Sequence, residues 1–258
     1  MRAALFIVVI LLTAAAWLLT YSTYQNMGLM MQIGVPMSLG MEGSASLVSF
    51  AAFTGMWLVM MVAMMLPSTY PTLTLHRRVY LRRTPRARGG TFCFALAYFL
   101  VWTATGTIFY FAYLLIGSLR AAVPGSAPLL IRAAGLVLLL SGLYQWSGFK
   151  LACLKLCQNP LHFVMEHWHD GRFGAARMGA SHGTYCIGCC WGLMVILFVM
   201  GVMHLGWMAA IGALILMEKL VPAGRWISNT IGAVFIVVGL IVMLFPDVLT
   251  RLSSQVVL

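Results

Sequence analysis

Acidic residues are almost absent from this chain: five Asp and Glu stand against sixteen Lys and Arg in 258 residues. Charged residues of both signs make up only 8%, where a soluble domain carries roughly a quarter. So few charges cannot solvate a globule of this size, which excludes an ordinary water-soluble enzyme. Catalytic signatures are missing too. There is no glycine-rich nucleotide loop and no hydrolase triad order, and too little polar mass to house an ATPase. Glu166–His169, "EHWH", has the wrong order and spacing for a zinc-hydrolase helix. No internal repeat or separate soluble domain stands out.

What the chain has instead is 62% hydrophobic residues, gathered in long blocks rather than amphipathic stripes. A span needs about 20 mainly apolar residues. Seven runs qualify, at approximately 4–21, 47–66, 91–118, 128–147, 187–204, 206–221 and 228–246. Lipid leaves no water to satisfy backbone polar groups, so these runs are expected to be helices. The fold expected is an all-α polytopic membrane protein with about seven transmembrane helices. The fifth and sixth form a short hairpin around His204–Trp207. Residues 1–258 read as a single transmembrane domain with cytoplasmic loops at about 67–90 and 148–185. The apolar core of the first run is longer than most signal-peptide cores, so a retained anchor is expected.

Orientation follows from the basic residues. "LHRRVYLRRTPRARGG" carries Arg77, Arg78, Arg82, Arg83, Arg86 and Arg88 and no acid, which makes it cytoplasmic by the positive-inside rule. Alternation then places the 148–185 segment on the same side. The net charge of +11 is accounted for by topology and anionic headgroups. The lipid bilayer, and not nucleic acid, is the partner it implies. Nothing in the sequence sets an oligomeric state.

Three of the six cysteines fall in Gly183–Met194, "GTYCIGCCWGLM". On a helix Cys186, Cys189 and Cys190 occupy an arc of about 100°. Cys153 and Cys157 are i,i+4 and share a face. Four histidines, His162, His167, His169 and His182, lie in the same segment. Cytoplasmic thiols stay reduced, so clustered cysteines there point to a metal more than to disulfides. Soft thiolates select Cu(I), zinc or iron–sulfur clusters. Cysteine also packs as a small hydrophobe, and Cys93, alone in its span, reads that way.

Methionine is the second feature, nineteen in all. In "GMWLVMMVAMMLPS", Met56, Met60 and Met64 form one row, with Met61 and Met65 beside it. Thioethers suit Cu(I) and bind it without losing a proton, although methionine fills helix–helix gaps equally well. Met194, Met200, Met203 and Met208 extend the supply, and Met27, Met30, Met31, Met37 and Met41 lie toward the outer side. Pro67 is expected to end or kink the second helix. Glu218 and Lys219 sit near the inner end of the sixth run. An acid within a membrane is a functional candidate by default, but Glu218 is close enough to the interface that snorkelling and a partner from the arginine loop explain it about as well.

Four strings, "MWLVMMVAMMLPSTYP", "LYQWSGFKLACLKLCQNP", "GTYCIGCCWGLMVILFVMGVMHLGWMA" and "EKLVPAG", together resemble an uncharacterised bacterial family described as predicted metal-binding integral membrane proteins. The resemblance covers most of the chain after the first helix. It implies a multi-pass protein of the bacterial inner (cytoplasmic) membrane with a metal site at these cysteines. The chain departs from the pattern at His204, where the family has asparagine, which argues against an essential ligand there.

Three functions compete. The first is a Cu(I) transporter or membrane copper chaperone with ligands drawn from Cys186, Cys189, Cys190, Cys153, Cys157, Met56, Met60, Met61, Met64, Met65 and His182. A metalloenzyme or metallochaperone would be its partner. The second is a scaffold with a structural zinc site built from the cysteines and the loop histidines. A membrane oxidoreductase ranks third, for want of a cofactor motif. No catalytic residue is identified.

Overall fold

A computed structural model describes residues 2–32, 47–83, 89–123, 127–200, 205–221 and 224–245. Within these residues every element is an α-helix: α1 (Arg2–Gln32), α2 (Leu47–Arg83), α3 (Gly90–Ala122), α4 (Ala127–Gln145), α5 (Gly148–Gln158), α6 (Pro160–Glu166), α7 (Gly171–Met200), α8 (Leu205–Leu220) and α9 (Gly224–Leu244). Six of them, α1, α2, α3, α4, α7 and α9, are long and apolar enough to cross a membrane. Their outward faces carry large apolar side chains, such as Ile108 and Leu115 on α3 and Leu11 on α1, a surface suited to lipid rather than water. The sixth expected span, 206–221, corresponds to α8. At 16 residues it is about 24 Å long, short of the roughly 30 Å hydrocarbon core. The expected turn at His204, with Met203, and the outer-side Met37 and Met41 lie outside the described residues, as do Arg86 and Arg88.

Pro67 does not end α2. The helix runs on through Pro67 and Pro71 to Arg83. Hydroxyls help to satisfy carbonyls around the two prolines: Ser68 and Thr69 donate to Met65 O (3.0 and 2.9 Å), and Thr74 donates to Pro71 O (2.8 Å). Membrane helices tolerate proline because each missing N–H frees only one carbonyl, here those of Ala63 and Pro67, and a packed bundle can accommodate it. The polar segments 67–90 and 148–185 are consequently helical for most of their length. With 37 and 30 residues, α2 and α7 are about 55 and 45 Å long. Both exceed the roughly 30 Å core, and the polar surplus of each lies at the end that carries the arginines.

Small residues decide how closely the helices approach. Gly179 and Gly183, one turn apart on α7, face α3. A Cβ on Gly179 would collide with the Phe94 carbonyl, and one on Gly183 would stand 3.1 Å from Val101 Cβ. This is the small-xxx-small arrangement that lets helix backbones approach where lipid supplies no hydrophobic drive. Because the obstacle at 179 is backbone, Gly179→Ala is expected to cost about 1–3 kcal/mol through overpacking. A lowered thermal midpoint in detergent would register it, and an unchanged midpoint would refute it. Trp57 joins α2 to α3 by donating from its indole N–H to Trp102 O at 3.0 Å.

At the arginine end, the Ser147 hydroxyl caps α5 by accepting from Lys150 N at 3.2 Å. Pro160 opens α6, where its missing N–H costs nothing. The face that α5 turns inward carries Lys150, Cys153 and Leu154.

Candidate metal centre

The helical spacing of the cysteines becomes a site once α7 is buried. Cys186, Cys189 and Cys190 are all buried, and their sulfurs lie within 4.8 Å of one another. Two local bonds hold the thiols. Cys189 donates to Cys186 O at 3.1 Å, and Cys190 donates to the same carbonyl at 2.8 Å. Cys157 reaches in from α5, its sulfur 3.8 Å from that of Cys189. An ion bonded to each sulfur at about 2.3 Å needs sulfurs about 3.8–4.0 Å apart. The trio therefore needs only a small contraction to close on a soft cation, and Cys157 can supply a fourth donor.

Cys153 is placed differently. Its sulfur fills the space left by Gly188, 2.7 Å from where a Cβ on that residue would stand. Burial, and secondarily the neighbouring Cys189, push its thiol up. All six cysteines are free thiols.

Around Cys186 the structure assembles groups that no sequence motif announced. Lys219 of α8 donates from Nζ to Cys186 Sγ at 2.9 Å and to Ser68 Oγ of α2 at 3.3 Å. The Tyr98 hydroxyl of α3 lies 3.0 Å from the same sulfur. An ammonium against a thiolate offsets the negative charge that metal thiolates gather in a low-dielectric site. Lys219→Met is expected to weaken metal binding by about 10–100-fold, the usual effect of removing a group that supports a ligand. Lys219→Arg should retain most of the affinity. Chelator competition on the purified variants is the check, and equal affinities for Met and wild type would refute the role.

Glu218 needs no partner from the arginine loop, and it is not snorkelling, because it is 2% exposed. Lys150 of α5 donates to both of its oxygens, at 2.8 and 3.0 Å. The same ammonium donates to Ser228 Oγ of α9 at 2.8 Å and to Gln145 Oε1 at the end of α4. Gln158 donates to the Glu218 carbonyl at 2.7 Å. Neighbouring residues at the end of α8 thus serve opposite directions: Glu218 ties α8 to α5 and α9, and Lys219 meets the cysteines.

The methionine row is buried along α2. Met60, Met61, Met64 and Met65 share one continuous apolar core with Cys153 and the cysteine trio, together with Met194 and Met208, while Met56 is half-buried. Met64 packs on Gly212 of α8, at 3.5 Å from the position a Cβ there would take.

The histidines divide. His162 is exposed and faces Glu166 of its own helix at 3.2 Å. His167 contacts Phe163 O and the Tyr185 hydroxyl, each at 3.3 Å, and His169 contacts His167 O at 2.9 Å. Of these four only His182 is buried, one helical turn before Cys186. The close cluster among the described residues contains cysteines alone. The site is therefore a soft sulfur pocket without the nitrogen donors that a zinc site drawn from the loop histidines would use. Sequence reasoning also passed over His76, fully buried on α2. Its position on the inward face, in step with Ser68 and Thr72, was the signal that could have found it.

No curated protein and no solved structure matches the chain. A family model does: the one described as PpoB2, copper chaperone, matches residues 54–242. That interval contains α2 from its first turns to nearly the end of α9, and with it every cysteine and the methionine row. On that match, the chain belongs to the PpoB2 copper chaperone family.

Proposed function

We propose that this protein binds Cu(I) at Cys186, Cys189 and Cys190, with Cys157 as an exchangeable fourth thiol, and passes it to a metalloenzyme as a membrane-embedded copper chaperone. One observation carries this reading: three buried thiols within 4.8 Å of one another, with an ammonium 2.9 Å from one of them. Soft, low-coordinate sulfur suits Cu(I), and the buried cation offsets the charge of the thiolates. The family description points the same way. The methionines of α2 supply neutral donors that need no proton when the ion leaves them. By the positive-inside rule the arginine end faces the cytoplasm of a bacterial inner membrane, where thiols stay reduced.

The test is X-ray absorption and metal analysis of purified protein, loaded anaerobically with Cu(I) or Zn(II). One Cu(I) per chain in an all-sulfur shell, with zinc removed by mild chelation, is the expected result. Zinc retained in a tetrahedral shell, or no Cu(I) retained at all, would sink the reading.

A further inference from the structure

Two buried histidines outside the sulfur site carry ring nitrogens that have no hydrogen-bond partner among the described residues. His76 is 0% exposed, and neither of its ring nitrogens has a hydrogen-bond partner among the described residues. His182 is 3% exposed, and its Nδ1 is likewise unpartnered. Leaving a buried polar group unsatisfied costs about 1–3 kcal/mol. A packing role would be met more cheaply by phenylalanine. What these positions keep is a nitrogen lone pair in a wall of aromatic rings.

The two rings lie in a row that leads to the cysteines. Phe94 packs against both, with centroids 4.8 Å from His76 and 5.9 Å from His182. Tyr98 packs on His182 at 5.6 Å, and its hydroxyl reaches the Cys186 sulfur. His182 precedes Cys186 by one turn, about 6 Å along the axis. His76 lies further toward the arginine end, where α2 finishes at Arg83. Trp168 packs against it in a tilted arrangement at 5.7 Å, and the Arg83 guanidinium lies over that indole at 5.4 Å. Phe94 packs against both imidazoles, which leaves no room between them for a macrocycle.

We propose that His76 and His182 form a nitrogen-donor relay by which Cu(I) moves between the arginine-bearing end and the cysteine trio. The inference rests on the Cu(I) reading above and adds its route. A neutral imidazole accepts Cu(I) without releasing a proton, whereas thiolates are softer and anionic. The donors therefore strengthen along the row, and the ion is not trapped before it reaches the sulfurs. The ordering also explains why both nitrogens of His76 and Nδ1 of His182 lack a partner among the described residues: each is held free for an ion that visits it.

The experiment times Cu(I) transfer from a chromophoric chelator to the full-length protein by stopped flow, beside the equilibrium affinity measured with the same chelator. His76→Phe and His182→Phe preserve ring packing, and His76→Gln and His182→Gln carry the test if the phenylalanine variants do not fold. Loading should slow by about tenfold or more in each variant, with the final affinity close to wild type. In a Cys186/Cys189/Cys190→Ser background, a weakly held Cu(I) with nitrogen scatterers should remain, and His76→Phe should remove it. Unchanged loading rates in folded variants would overturn the relay while leaving the cysteine site intact. A wild-type protein that binds no Cu(I) would instead overturn the reading on which it rests.

Discussion

Replacing Cys186, Cys189 and Cys190 together by serine is expected to abolish tight Cu(I) binding, a loss of several orders of magnitude in affinity. A serine hydroxyl is nearly isosteric with the thiol, but it is a hard donor that stays protonated, and Cu(I) selects soft thiolates. Among single variants Cys186→Ser should be the most damaging, because Lys219 and Tyr98 converge on that sulfur. Cys157→Ser should cost less, since its sulfur approaches only the edge of the trio, 3.8 Å from Cys189. Cys153→Ser serves as the control. Its sulfur is packed against Gly188, and its removal should leave affinity unchanged. Competition against a Cu(I)-specific chelator measures all four. A triple variant that binds as tightly as wild type would remove the cysteines from the site.

The second large effect concerns stability. Glu218→Ala should destabilise the protein by about 3–5 kcal/mol, the usual result of stranding one member of a buried ion pair. Lys150 is 0% exposed. Without Glu218 its ammonium keeps only Ser228 and Gln145, both neutral. The pair itself is a different matter, because desolvation consumes much of its attraction. Lys150→Leu combined with Glu218→Leu is therefore expected to recover most of the loss. Thermal unfolding in detergent, arranged as a double-mutant cycle, separates the two effects. A single variant as stable as wild type would show that the carboxylate is dispensable. The cycle also bears on metal binding, because the turn of α8 that holds Glu218 also presents Lys219 to Cys186. Loosening the pair should weaken Cu(I) affinity even in molecules that remain folded.

The extent to which the sequence foretold this architecture can be followed residue by residue. Helical crossings were legible because a bilayer imposes one rule, internal satisfaction of backbone groups, on any apolar run of sufficient length. By sequence Pro67 is expected to end or kink the second helix, and α2 runs on through it to Arg83, because one missing N–H frees one carbonyl, a loss that a membrane bundle tolerates. The segment 171–186 read as loop because its glycines, alanines and His182 depress hydropathy. Those same small residues are what let α7 lie against α3.

Of the site, the sequence determined what is local. Cys186, Cys189 and Cys190 are brought together by the period of one helix, and the methionines of α2 share a buried side for the same reason. What only the tertiary structure decided is what surrounds them. Lys219 and Tyr98 lie 33 and 88 positions from Cys186, and Lys150 lies 68 from Glu218. No periodicity links residues on separate helices. Their meeting depends on the angles and close approaches at which α3, α5, α7 and α8 pack. The same packing left His162 exposed with Glu166 and buried His76 without a partner, because burial belongs to the assembled bundle and not to any one helix.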